Sequence, residues 1–157
     1  SNGFYAGTWA AQVTDGLEID GFFGYSGSDE SGDISYAIGC TGSYYTDDFD
    51  DTYEEVNLGF CYKSFCLDGA FGDYENFDGP TLDYTFISTS YAFDNGIYLT
   101  YGDFSKDAAG SYFELGYGFS LDVMDATIKY ISSDSTLVGP SGDNFLIFSL
   151  AKSFSFE

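Results

Sequence analysis

The groups best able to do chemistry in this sequence are carboxylates. Asp47, Asp48, Asp50, Asp51, Glu54 and Glu55 crowd into one short segment. Ca²⁺ takes roughly six to eight oxygen ligands, so the segment is a candidate calcium site, and calcium is the one cofactor the sequence suggests. The spacing is not that of an EF-hand, because the mid-loop glycine is missing and Phe49 interrupts the run. A solvated, self-repelling loop is the competing reading. A second group is dispersed: Glu18, Asp20, Asn57, Asp68, Asp83, Glu114 and Lys129 fall on the polar side of alternating segments. Lining a channel, such carboxylates would attract cations and repel anions, in a field focused by low-dielectric walls. Lys129 is the one basic residue expected mid-strand on that side, where it would pair with a nearby carboxylate.

Cys61 and Cys66 flank Tyr62, Lys63, Ser64 and Phe65. With Lys63-Ser64 as a two-residue hairpin turn, Tyr62 faces Phe65 and Cys61 lies opposite Cys66. A non-hydrogen-bonded pair brings the Cα atoms to about 4.5 Å, within disulfide reach, and an oxidising compartment would let the bond form. Two free thiols are the alternative. Cys40 is left over and reads as a small buried hydrophobe. Absences matter as much. The chain has no histidine and no arginine, and its net charge is −22. Triads, Cys-His pairs and imidazole zinc sites are therefore excluded. Nucleic acid is excluded as a partner too, since phosphate binding needs clustered Lys and Arg. No spacing selects one carboxylate pair for acid–base work, so the chain does not read as an enzyme.

The elements that must position these groups are strands. Hydrophobic residues make up 44% of the chain and aromatic residues 21%, too many for a disordered acidic tail and of the kind that favours sheet. The dominant period is two. Leu17, Ile19, Phe23 and Tyr25 alternate with Glu18 and Asp20. Val56, Leu58, Phe60 and Tyr62 alternate with Glu55, Asn57, Gly59 and Cys61. Phe113, Leu115, Tyr117, Phe119 and Leu121 alternate with Glu114, Gly116, Gly118 and Ser120. Ten such segments lie near 4–13, 17–26, 34–45, 53–62, 65–73, 81–93, 97–104, 111–121, 125–132 and 144–156. In 81–93 the apolar parity switches around Ile87, which suggests a bulge or a strand end. No run approaches the length of a membrane-spanning helix.

Each segment has the length, about 9–11 residues, with which a tilted strand crosses a bilayer. Short links (63–64, 94–95, 122–124) alternate with longer acidic ones (47–52, 73–80, 105–110, 133–142), and Pro80 and Pro140 lie in the latter. The link 26–33 is long but falls at the short-link end. A soluble sandwich also alternates, yet its outer face normally carries Lys, Arg and Glu. Here the weaker face is Gly, Ser, Ala and Thr with sparse carboxylates, which suits a confined lumen. Tyr25, Tyr44, Tyr45, Tyr62, Tyr101 and Phe156 sit where interfacial aromatic girdles would lie. Tyr44, Tyr45, Tyr53, Phe71, Tyr74 and Phe77 gather near the long-link end. They form either a sugar- or protein-contact patch or simple interfacial anchoring.

Gly3-Phe-Tyr-Ala-Gly-Thr-Trp-Ala10 followed by Leu17-Glu-Ile-Asp-Gly-Phe-Phe-Gly-Tyr-Ser-Gly27 resembles the opening of the TorF-type porins of proteobacterial outer membranes. Asp33-Ile-Ser-Tyr-Ala-Ile-Gly39, Glu55-Val-Asn-Leu-Gly-Phe60 and Phe148-Ser-Leu-Ala-Lys-Ser-Phe154 follow in the same order. The resemblance implies a location in the outer membrane of a Gram-negative bacterium and two further strands before the first motif.

The expectation is an all-β, antiparallel up-and-down transmembrane barrel forming a single domain over 1–157. It would have about ten strands, or twelve if N-terminal strands are lacking. Its contacts would be membrane lipid and lipopolysaccharide, and its function that of a narrow porin favouring small cations or neutral solutes. The alternative is a non-conducting structural protein whose acidic, aromatic loops bind copies of itself, another surface protein or Ca²⁺.

Overall fold

The structure, a computed structural model, describes residues 3–138 and 142–153. Ten strands follow one another: β1 (Gly3–Val13), β2 (Gly16–Ser28), β3 (Ile34–Tyr45), β4 (Tyr53–Tyr62), β5 (Phe65–Tyr74), β6 (Leu82–Ala92), β7 (Ile97–Lys106), β8 (Gly110–Leu121), β9 (Met124–Ser133) and β10 (Asp143–Ala151). One helical turn, α1 (Ser135–Val138), lies in the last link. Every strand pairs antiparallel with its neighbour in sequence, giving one meandering sheet ordered β1 to β10. The alternation placed these strands to within about two residues, apart from the last. Phe154 and Phe156, expected to extend it, and Pro140 lie outside the described residues.

The sheet is strongly rolled. Tyr5 of β1 shares one cavity of about 360 Å³ with Asn57 and Asp68 and with Phe86 and Phe104 of β6 and β7. On a flat sheet β1 and β6 would stand five strand spacings, about 24 Å, apart. The expected closure is not present, however. Among the described residues β1 and β10 are not hydrogen-bonded to each other, so the sheet is an open, rolled one. Its two edges are correspondingly bare: Phe4 on β1 is 91% exposed and Leu146 on β10 is 77% exposed.

The two faces divide by parity. The convex face carries Ile38, Leu58, Leu67, Ile87, Leu115 and Ile128 at mid-strand, all exposed. The concave face carries small residues, polar residues and a set of aromatic rings. Directly cross-strand, Gly24 faces Tyr5, Gly7 faces Phe22, Gly72 faces Tyr84, Gly102 faces Tyr112 and Gly116 faces Tyr98. Each ring lies over the glycine opposite it, where a Cβ would clash: at Gly116 it would come within 2.0 Å of the Tyr98 ring, and at Gly72 within 2.7 Å of the Tyr84 ring. Glycines facing aromatic residues are a way to curve a sheet while keeping its register.

β6 corrects one sequence expectation. Its register with β5 runs unbroken from Phe65↔Tyr91 to Tyr74↔Leu82, so the parity switch near Ile87 is neither a bulge nor a strand end. Tyr84 and Phe86 are simply large residues on the concave face, accommodated over Gly72 and Gly102.

Links fall at two rims. One rim holds 14–15, 46–52, 75–81, 107–109 and 134–142, and the other holds 29–33, 63–64, 93–96 and 122–123. The alternation of long and short is therefore present in part, with 14–15, 29–33 and 107–109 as departures from it. In the two-residue turn 63–64, Lys63 takes a positive φ of 53°. There Cys61 is bonded to Cys66 with the Cα atoms 4.1 Å apart, in the register expected from the turn.

Candidate functional site

The concave face gathers most of the dispersed polar residues. Glu18 and Asp20 on β2, Asn57 on β4, Asp68 on β5, Glu114 on β8 and Lys129 on β9 share its parity, which the pairings Gly59↔Asp68 and Gly116↔Lys129 carry across neighbouring strands. Asp83 does not. It pairs with Asp73, which pairs with Glu54, and these three belong to the convex parity of Val56 and Leu58. By register it therefore leaves the mid-strand set on the concave face, although it borders the cavity at the long-link rim. Apolar character alone misreads β6, whose concave face bears the aromatic rings.

Four contacts organise this face. Lys129 Nζ lies 3.1 Å from Glu114 Oε2, and the Glu114 side chain is nearly buried. Thr41 Oγ1 donates to Asn57 Oδ1 at 2.7 Å, and Asn57 Nδ2 donates onward to Glu55 Oε2 at 2.7 Å. Tyr84 Oη donates to the other Glu55 oxygen at 2.6 Å. Asp20 sits opposite Trp9, and its buried Oδ1 has no hydrogen-bond partner.

The acidic segment does not converge. Asp47 and Asp48 adopt positive φ, 60° and 54°, in the link. Asp50 accepts the hydroxyls of Tyr74 at 2.7 Å and Tyr53 at 3.2 Å, while Asp51 Oδ2 accepts the Phe77 amide. Glu54 points outward and Glu55 inward, as adjacent strand residues must. Among the described residues no group of three or more His, Cys, Asp or Glu side chains is placed to hold a metal ion. The six carboxylates proposed as one calcium site are split between two faces of the sheet and a link.

Sequence reasoning gathered Tyr45, Tyr53 and Tyr74 at the long-link end but missed Tyr84 and the inward direction of the group. Tyr45, expected in an outward girdle, points inward beside Glu18, Tyr53, Tyr74 and Tyr84 around a cavity of about 560 Å³ at the long-link rim. Tyr53 stacks on Tyr74 with centroids 4.5 Å apart, and meets Tyr45 at 6.0 Å and Tyr84 at 6.1 Å edge to face. The available signal was register: a tyrosine opposite a glycine, as Tyr84 is opposite Gly72. Below the cavity, Phe86 stacks near Phe104 and Tyr112 at 4.6 Å and 6.2 Å and narrows the space.

The arrangement offers a trough of acceptors and ring faces with Lys129 as its mid-strand cation. Comparison with family models, with curated proteins and with solved structures gives no match.

Proposed function

We propose that the chain forms the wall of an outer-membrane β-barrel with a narrow, acidic lumen. The observation that carries this reading is the convex face. Leu58, Leu67 and Leu115 on three different strands stand 45%, 45% and 44% exposed at mid-strand, within an apolar surface spread over the strands. Soluble monomers rarely expose contiguous apolar patches beyond a few hundred Å², whereas a lipid-facing wall requires one. The resemblance to TorF-type porins points the same way. β1 and β10 run in opposite directions, so direct pairing of their edges, or insertion of an even number of strands, would close the ring antiparallel.

Inward carboxylates would favour small cations over anions. The rings of Phe86, Phe104 and Tyr112 keep the passage narrow. A second reading rests on those same rings: they also suit a plugged barrel that anchors partners without conducting. Conductance across planar bilayers with unequal KCl on the two sides separates the readings. A cation-selective reversal potential supports a pore, and a silent protein that still shows heat-modifiable gel migration supports the scaffold. A chain that migrates identically before and after boiling, and stays soluble without detergent, sinks both.

A further inference from the structure

We infer that the tyrosine-lined cavity at the long-link rim is a binding site for protonated organic amines. Its volume of about 560 Å³ lies within the range of small-molecule sites. Four tyrosines and two glutamates, Glu18 and Glu55, face it, and no lysine lines it.

Three of those hydroxyl protons are already committed. Tyr84 donates to Glu55 and Tyr53 and Tyr74 donate to Asp50, while Tyr45 stands opposite Glu18 in register. What remains for a ligand is mainly acceptor oxygen and aromatic face, with the Ser43 and Tyr45 hydroxyls as the few further donors in the lining. A sugar needs donors as well as acceptors from its site, and an anion is repelled. An ammonium group on a short hydrocarbon supplies what the site lacks: N–H donors for the carboxylates, positive charge over the rings, and an apolar tail for Leu82 and Phe104, which also line the cavity. Lys106, at the end of β7 and opposite Tyr84 in register, is exposed and not part of the lining.

This deepens the transport reading by naming a solute class, and rests on that reading only for passage, not for binding. Isothermal titration calorimetry on the detergent-folded chain, with n-butylammonium as probe, tests it directly. Saturable binding is expected, with 1-butanol and glucose giving none. Glu55→Gln and Glu18→Gln should each weaken it about tenfold, while Asp68→Asn, in the other cavity, leaves it unchanged. Two carboxylate variants keep the test open if one fails to fold. Absent heat, equal binding of 1-butanol, a preference for glucose, or undiminished affinity in both glutamine variants overturns the assignment. Amine binding by a protein that conducts nothing would overturn the pore and leave the site standing, and conductance without amine binding would do the reverse.

Discussion

Lys129 and Glu114 form a diagonal ion pair on the concave face: Lys129 stands opposite Gly116, and its Nζ reaches back 3.1 Å to the Glu114 carboxylate. Gly116 has no side chain to block that path. Glu114 is 9% exposed, so removing Lys129 leaves a nearly buried charge without its cation. Lys129→Met should destabilise the fold by about 2 kcal/mol, less than for a fully buried pair because the lysine retains partial exposure. Urea unfolding in micelles measures this, and Lys129→Met/Glu114→Gln should recover most of the loss. If the double variant is no better than the single one, the pair is not what holds these residues.

The glycine–tyrosine pairs predict sharp sensitivity to one methyl group. A Cβ at residue 116 would lie 2.0 Å from the Tyr98 ring, so Gly116→Ala must push that ring aside. Overpacking of this kind costs about 1–3 kcal/mol. Adding Tyr98→Ala to Gly116→Ala should recover part of the loss, and the coupling read from the full double-mutant cycle measures the contact. Strict additivity would show that the ring does not rest on the glycine.

Cys61–Cys66 closes a short loop. Loop-closure entropy for so few residues amounts to about 2 kcal/mol. Replacing both cysteines with serine should lower stability by that amount without changing the register. On the oxidised, unfolded protein, maleimide should label a single cysteine, Cys40, identified by peptide mass. Three labelled cysteines before reduction would contradict the bond.

Acid should loosen the link after β9. The Thr136 hydroxyl and then the Ser111 amide hydrogen-bond to Asp134 and hold its carboxyl below the ordinary value. A depressed value means that the ionised form stabilises the folded link. That contribution is fully present above about pH 4 and is lost as pH falls through the folded value. Protection of the Ser111 and Thr136 amides, relative to the intrinsic exchange rate at each pH, should fall in that window, and Asp134→Asn should be poorly protected at every pH. An unchanged acid dependence in Asp134→Asn would assign the transition elsewhere.

The convex face can be probed with a single charge. Leu115→Arg at the middle of a lipid-facing strand should cost about 2–4 kcal/mol, against less than about 0.5 kcal/mol for an exposed site in water. Folding yield into dilauroyl lipid vesicles, compared between Leu115→Arg and Leu115→Ser, reads the difference. Equal yields would mean that this face meets water.

Strand positions were legible because a period of two survives wherever one face is apolar, as in Phe113–Leu121 and Glu55–Tyr62. The disulfide was legible for a related reason: once Lys63-Ser64 is taken as the turn, register places Cys61 opposite Cys66 with no further choice. Asp83 failed because its own strand gives conflicting parity. Only its pairing through Asp73 to Glu54 decides which way it points, and that is information from other strands. The tyrosine cavity was legible in part: Tyr45, Tyr53 and Tyr74 fall at one rim by strand position, but Tyr84 joins them through the roll of the sheet, a property no local window contains. The open edge between β1 and β10 is of the same kind.

An even number of antiparallel strands returns the chain to its starting side. Gly3 begins β1 and Ala151 ends β10 at the rim of the short links, away from the tyrosine cavity. Any segment joined ahead of Gly3 or behind Ala151 therefore emerges on one side of the sheet. Labels or epitopes meant for the opposite rim have to be spliced into links 46–52 or 75–81, and tags fused to the two ends would sit at the same rim.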